Sequence, residues 1–86
     1  MPRYLIERTF AEEVGLTKDA IKGVNQINDE EGVAWIISFL SADKRKTYCL
    51  YEAPNPEAIR SAARRNNIPA DVIIEIGGEL SPTMFG

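Results

Sequence analysis

The fold of this chain is decided by one stretch of its sequence, Lys46-Thr-Tyr-Cys-Leu-Tyr-Glu-Ala-Pro-Asn-Pro-Glu-Ala-Ile59. Its first half, 46–52, alternates with period two and is rich in aromatic residues, which predicts a β-strand. Asn55 is then a favoured helix N-cap, and Pro56 suits the first helical turn. The stretch therefore predicts a strand followed closely by a helix from Pro56 to about Arg65.

The sequence on either side supplies the remaining elements. Apolar periodicity predicts a first strand, a first helix, a second strand and a fourth strand, over residues 3–10, about 18–28, 33–40 and 71–76. The polar connection 41–45 is short enough to make the second and third strands antiparallel neighbours. The order β-α-β-β-α-β predicts an α+β, ferredoxin-like sandwich, in which two helices cover one face of an antiparallel four-stranded sheet.

We expect one domain, 1–86, that assembles as a homodimer. The second and fourth predicted strands are apolar at nearly every position, which is typical of strands covered on both faces. Two helices can cover only one face, so the open sheet face is expected to bury itself against a second subunit, in a dimeric α+β barrel. Residues 77–86 are expected to form a tail that is either docked on a surface, through Leu80, Met84 and Phe85, or frayed.

Composition restricts the function classes. The 86 residues carry a net charge of -3, which disfavours nonspecific binding to nucleic acid or to anionic membranes. With one cysteine, the chain has no intramolecular disulfide, and with no histidine it lacks the commonest general base and soft-metal ligand. No apolar run reaches the length of a membrane span. We therefore predict a cytoplasmic protein that has no bound cofactor and binds neither nucleic acid nor membranes.

Three segments resemble a family of small ferredoxin-like bacterial proteins of unknown function: Lys46-Thr-Tyr-Cys-Leu-Tyr-Glu-Ala-Pro54, Pro56-Glu-Ala-Ile-Arg60 and Ile68-Pro-Ala-Asp-Val-Ile-Ile-Glu75. The resemblance implies a dimer of βαββαβ subunits and, from one characterised member, nickel binding. It implies metal-binding histidines in the first strand and the second helix. Here 6–8 and 62–65 contain none, so the fold and the dimer are expected to carry over and a histidine-type nickel site is not.

Six residues are candidates for ligand binding: Glu7, Arg8, Trp35, Cys49, Tyr51 and Glu52. Four of them are also candidates for catalysis, with a carboxylate as base and an arginine as anion stabiliser: Glu7, Arg8, Tyr51 and Glu52. Each has a structural alternative, since exposed carboxylates usually form surface ion pairs, a lone cysteine is usually an inert core residue, and aromatic rings usually pack in cores and interfaces.

Strand alternation predicts which aromatic rings share a face. It places Trp35, Ile37 and Phe39 on one face of the second strand and puts Tyr48 and Tyr51 on opposite faces of the third. Such rings can line an apolar pocket, with Arg8 at a ligand's polar end. The first functional hypothesis is therefore a protein that binds a small ligand or a metal ion, and the alternative is a cofactor-independent isomerase, cyclase or oxygenase with a cavity in a dimeric barrel.

Overall fold

The computed structural model describes residues 1–84 and contains the six predicted helices and strands in the predicted order. Their bounds are β1 Arg3–Thr9, α1 Lys18–Glu30, β2 Ala34–Leu40, β3 Lys46–Glu52, α2 Pro56–Arg65 and β4 Val72–Ile76, with a 3₁₀ turn at Pro82–Met84. Leu80 is 84% exposed and is not docked on this subunit. The side chain of Met84 and all of Phe85 lie outside the described part of the chain, as does their predicted docking. Within residues 1–84, no helix is both long enough and apolar enough to cross a membrane.

The strands form one antiparallel sheet in the order β2-β3-β1-β4. β1 lies in the middle and pairs with β3 on one side and with β4 on the other, while β2 pairs with β3 at the edge. This topology, with two helices inserted between the strands, is the ferredoxin-like α+β fold. The fold class predicted from the sequence is confirmed.

Local side chains start both helices where the sequence predicts, and asparagines follow the end of α2 as predicted. The hydroxyl of Thr17 accepts a hydrogen bond from the amide of Ala20, and the side chain of Asn55 accepts one from the amide of Ala58. Both contacts satisfy an amide that has no partner inside the helix. After α2, Asn67 adopts a positive φ of 57°, a conformation that asparagine tolerates better than most residues and that turns the chain towards β4.

The hydrophobic core lies between the helices and one face of the sheet. Its sheet side is formed by alternate residues of the two central strands, which are buried: Tyr4, Ile6, Cys49 and Tyr51. α2 packs on them through Ile59 and Ala62. α2 is the tightly packed helix, because it buries Ile59, Ala62 and Ala63, whereas α1 buries only Asn28 completely.

A β-bulge in β2 overturns one prediction. The register places Trp35 opposite Tyr51 and Ile37 opposite Leu50, with an irregularity between them. One extra residue in the strand reverses the alternation, so Trp35 faces the helices, whereas Ile37 and Phe39 face the open side. The prediction that these three side chains share a face is therefore wrong. Tyr48 and Tyr51 do lie on opposite faces, as predicted.

The open face of the sheet carries a continuous apolar row, which we call the central row. It crosses all four strands through paired residues, in the order Ile37, Leu50, Leu5 and Ile74. All four side chains are at least partly exposed. Ion pairs flank the row on both sides, Lys46 with Glu7 at 2.5 Å and Arg3 with Glu52 at 3.2 Å.

A candidate ligand cavity between the sheet and the first helix

An apolar cavity lies between the helix-facing side of the sheet and α1. Its volume is about 90 Å³, and it adjoins a wider cleft of about 350 Å³. The cavity is lined by Arg8, Phe10, Val14, Leu16, Val24, Trp35, Ser38, Thr47, Cys49, Tyr51 and Ile68. The two spaces share the walls formed by Val14, Leu16, Trp35, Ser38 and Thr47. The cleft is within the size range of small-ligand pockets, whereas the cavity alone is smaller, so a ligand of ordinary size would occupy both spaces.

The connection between β1 and α1 forms one wall of the cavity. The amide of Phe10 donates to the carbonyl of Arg45 at 2.8 Å, and the amide of Val14 donates to the carbonyl of Lys44 at 2.7 Å. These two bonds hold the connection against the β2–β3 hairpin. The side chains of Phe10, Val14 and Leu16 are thereby placed over the sheet, where α1 alone leaves a gap.

Tyr51 is at the centre of the polar groups in the cavity. The Trp35 ring is stacked on it, with centroids 6.4 Å apart and planes inclined by 12°. The Arg8 guanidinium carbon lies 5.6 Å from the Tyr51 ring centroid, in cation–π range. Asn28, which is 1% exposed, donates from its Nδ2 to the Tyr51 hydroxyl over a long 3.5 Å contact. The Trp35 Nε1 is satisfied by the Ser38 hydroxyl at 2.7 Å.

Burial raises the pKa of the Tyr51 hydroxyl above its ordinary value of 10.0, although the nearby Arg8 acts in the opposite direction. Desolvation disfavours the phenolate, so the neutral form is retained to higher pH than in the unfolded chain. The hydroxyl therefore keeps its proton throughout the physiological pH range.

We expect the free energy of unfolding to fall above about pH 10. A raised native pKa means that the unfolded chain releases the phenolic proton first, so the stabilisation is complete below the unfolded pKa and is lost as the pH rises through the native pKa. Between the unfolded and the native pKa, one such group lowers the free energy of unfolding by about 1.4 kcal/mol per pH unit. Urea unfolding between pH 8 and 11 should show a smaller fall in Tyr51→Phe than in the wild type; equal slopes would contradict this.

Some of the alkaline fall should remain in that variant. The pKa of Tyr4 is raised in the same direction, by burial and by Glu75, whose carboxylate accepts a hydrogen bond from the Tyr4 hydroxyl at 3.3 Å. The double variant, with both tyrosines replaced by phenylalanine, should therefore have the flattest profile of the three.

Arg8 is a buried cation within an otherwise apolar wall. It is 3% exposed, and its Nη1 donates to the carbonyl of Pro69 at 2.5 Å. Among residues 1–84, no carboxylate lies within ion-pair distance of it. The Pro69 carbonyl and the Tyr51 ring hold its position without neutralising its charge.

Four of the six candidate ligand-binding residues line the cavity: Arg8, Trp35, Cys49 and Tyr51. Glu7 and Glu52 lie on the other face of the sheet, in the ion pairs that flank the central row. Neighbours in a strand point to opposite faces, so Glu7 is separated from Arg8, and Glu52 from Tyr51. The cavity therefore combines a cation, a thiol, a phenol and an indole, without either predicted carboxylate.

Sequence reasoning missed three residues that line the cavity and one that lies behind its wall. Asn28 is predicted only as the end of the first helix, but it is a buried side chain in the last turn of α1 and donates to the Tyr51 hydroxyl. Phe10, Val14 and Leu16 were assigned to the end of a strand and a connection with no predicted role. No local pattern marks any of them, because their placement depends on distant segments: the amides of Phe10 and Val14 bond to the β2–β3 hairpin, and the Asn28 side chain bonds to Tyr51.

The side chains present do not fit a histidine-type metal centre. The chain has no histidine. Within residues 1–84, no three side chains from histidine, cysteine, aspartate and glutamate cluster closely enough to hold a metal ion. The single thiol, Cys49, contacts the hydroxyl of Thr47 at 3.6 Å.

Fold and site together define a ferredoxin-like α+β protein with an apolar cavity beneath its first helix. A family model described as nickel responsive protein SCO4226-like matches residues 4–76, and the chain belongs to this family. The family resemblance seen in the sequence is thereby confirmed. None of the curated proteins matches the chain.

A solved structure supports the same fold. The crystal structure of SCO4226 from Streptomyces coelicolor A3(2) is similar, with a TM-score of 0.69. The sequences are 22% identical, and the match covers 91% of this chain and 99% of that one. At this identity, the likeness supports the fold but assigns no ligand to this chain.

Proposed function

We propose that this protein is a homodimer that binds a small apolar organic molecule in the cavity between its sheet and α1. The observation that carries the proposal is the cavity wall, which is apolar apart from a few placed polar groups and holds the stacked pair Trp35 and Tyr51. Sites for small organic ligands typically have this composition.

The loosely packed first helix supports a binding role. Its inward residues Val24 and Ile27 are only half-buried, and Ile21 is exposed at the cleft. A helix serving only to complete the core would bury these side chains, as α2 buries Ile59. The space beneath α1 is therefore better explained as a site for a bound ligand than as part of a close-packed core.

The central row supports the dimer. An apolar strip bordered by ion pairs has the pattern of a protein interface, with a hydrophobic centre and a charged rim. A second copy of the sheet presents the same row and the same charges, and two-fold pairing makes such a surface complementary to itself. Covering the row in this way removes the partly exposed side chains of Leu5, Ile37 and Ile74 from water.

Binding is better supported than either catalysis or nickel uptake. The enzyme hypothesis assigns the general base to Glu7 or Glu52, and both carboxylates are engaged in ion pairs on the face opposite the cavity. A nickel role of the family's histidine type has no ligands in a chain without histidine. The cavity requires neither a metal ion nor a base to hold an apolar molecule.

Octan-1-ol should bind to this cavity and change the emission of Trp35, the single tryptophan in the chain. Trp35 lines both the cavity and the cleft, so entry of the probe displaces water from the indole and should shift its emission to shorter wavelength in a saturable manner. The probe should also slow alkylation of Cys49, the single cysteine, by iodoacetamide at least about threefold at saturation.

A matched pair of substitutions locates the binding. Val24→Phe fills the cavity from α1 and should weaken octan-1-ol binding at least about tenfold. Gln26→Phe adds the same ring on the exposed side of the same helix and should leave binding unchanged. If octan-1-ol produces no saturable change, or if the two variants behave alike, the cavity is not the binding site.

A further inference from the structure

The electrostatics of the cavity specify the chemical class of its ligand, an inference that rests on the proposed binding function. We infer that the ligand is an apolar monoanion, with a carboxylate head held by Arg8 and a hydrocarbon or aryl tail that extends toward the cleft. The evidence comes from the burial of Arg8, from the absence of a carboxylate partner for it within residues 1–84, and from the distribution of charge along the cavity.

A buried guanidinium without a carboxylate partner is energetically costly. An unpaired charge in an apolar setting loses its hydration, and proteins normally compensate with a counter-ion or with a full set of hydrogen bonds. Arg8, at 3% exposure, has the carbonyl of Pro69 and the face of Tyr51, both of them uncharged. The acidic residue next to it in sequence, Glu7, points to the opposite face and pairs with Lys46.

Arginine has the geometry to bind an anionic head in this position. The guanidinium presents five N–H donors in a plane, of which one, on Nη1, donates to the Pro69 carbonyl. A carboxylate accepts two parallel N–H bonds from such a group, which is the strongest pairing available to it in a water-poor site. An anion would thus supply both the missing charge and the missing acceptors.

The two spaces differ in charge, and this difference gives the ligand a direction. Arg8, Cys49 and Tyr51 line the inner cavity and are absent from the walls of the cleft. The cleft adds Ile21 and Leu40 instead and has no charged side chain in its lining. The head of a bound molecule therefore belongs at Arg8, and its apolar tail belongs between Trp35 and Leu40.

Tyr51 completes the head-binding end. Its hydroxyl accepts from Asn28 and retains its own proton for donation. The raised pKa of Tyr51 keeps that proton in place at neutral pH. A carboxylate next to Arg8 would therefore meet a cation and a neutral donor, with no acidic side chain in the cavity lining to repel it.

Octanoate and octanamide test the inference, because they have the same chain and nearly the same head shape but differ in charge. Titration of the wild-type protein at pH 7.5, followed by Trp35 fluorescence, should show octanoate binding at least about tenfold more tightly than octanamide. Arg8→Gln should reduce this ratio to near one while octanamide still binds. Arg60→Gln, which removes an exposed arginine of α2, should leave the ratio unchanged and controls for net charge.

The outcomes separate this inference from the function on which it rests. If octanoate and octanamide bind the wild type equally, the cavity binds apolar molecules but the anion assignment is wrong. If neither binds, the proposed function fails together with the inference. The comparison within the wild type decides the question even where Arg8→Gln does not fold, and an unchanged ratio in a folded Arg8→Gln protein overturns the role of Arg8.

Discussion

Leu5→Lys should convert the proposed dimer into a monomer. Leu5 lies in β1 at the middle of the central row, between Leu50 and Ile74. In a two-fold dimer, each substitution places an ammonium group into the apolar centre of the interface, and symmetry introduces it twice. An unpaired buried charge costs about 3 kcal/mol or more, so two of them should weaken association by several orders of magnitude.

Light scattering measures the effect directly. The wild type should have a mass near twice that of the 9.6 kDa subunit at micromolar concentration, and Leu5→Lys should have the mass of a single subunit. The variant should keep its far-ultraviolet circular dichroism, because Leu5 is on the open face and is already 36% exposed in the isolated subunit. Folding and association can thus be measured separately.

Gln26→Lys is the matched control for the dimer. It adds the same charge at an exposed position of α1, away from the sheet face, and should leave the protein dimeric. A wild-type mass of one subunit would contradict the proposed dimer. A dimeric Leu5→Lys protein would show that the two subunits meet through another surface.

Ile59→Ala should cost about 2–5 kcal/mol in the free energy of unfolding. Ile59 is 1% exposed and is the largest side chain by which α2 enters the core. The other α2 residues in this contact are alanines, which are too small to fill the space that the isoleucine side chain vacates. The substitution therefore creates a cavity and also reduces the buried apolar surface. For a domain whose total stability is expected to be about 5–15 kcal/mol, this is a large fraction.

The control for this prediction is the same substitution in the other helix. Ile21 in α1 is 39% exposed at the cleft, so Ile21→Ala removes less buried surface and introduces a residue with better helix propensity. Urea unfolding should give a loss below about 1 kcal/mol for Ile21→Ala. Equal losses in the two variants would contradict the assignment of α2 as the tightly packed helix.

The helices and strands that could be predicted are those whose bounds are set by residues within a few positions of each end. β3 and α2 have the bounds predicted from the sequence, because alternation, an N-cap asparagine and a first-turn proline act within a few residues. α1 extends two residues beyond the prediction, through Glu30, since its C-terminal polar residues are compatible with either helix or turn. The alternation of β3 correctly predicted that Tyr48 and Tyr51 lie on opposite faces, whereas Glu7 is grouped with Arg8 among the candidate residues although the alternation of β1 places them on opposite faces.

β2 could not be predicted in the same detail. Its sequence is apolar at nearly every position, so the order of apolar and polar residues does not reveal a β-bulge or a shift of register. The bulge between Trp35 and Ile37 turns the indole toward Tyr51 and makes it part of the cavity wall. The same bulge leaves Ile37 in the central row, so one local irregularity shapes both the cavity and the open face.

The sequence by itself determined the order of the elements, the start of both helices, the end of α2 and the face on which each β1 and β3 side chain lies. These features depend on backbone preferences and on period-two alternation, which act over a few residues. Only the tertiary structure decided that Arg8 is buried with no carboxylate partner among the described residues 1–84, that Asn28 reaches Tyr51, and that residues 10–16 cover a cavity. Those features depend on which distant segments pack together, and in particular on how incompletely α1 covers the sheet.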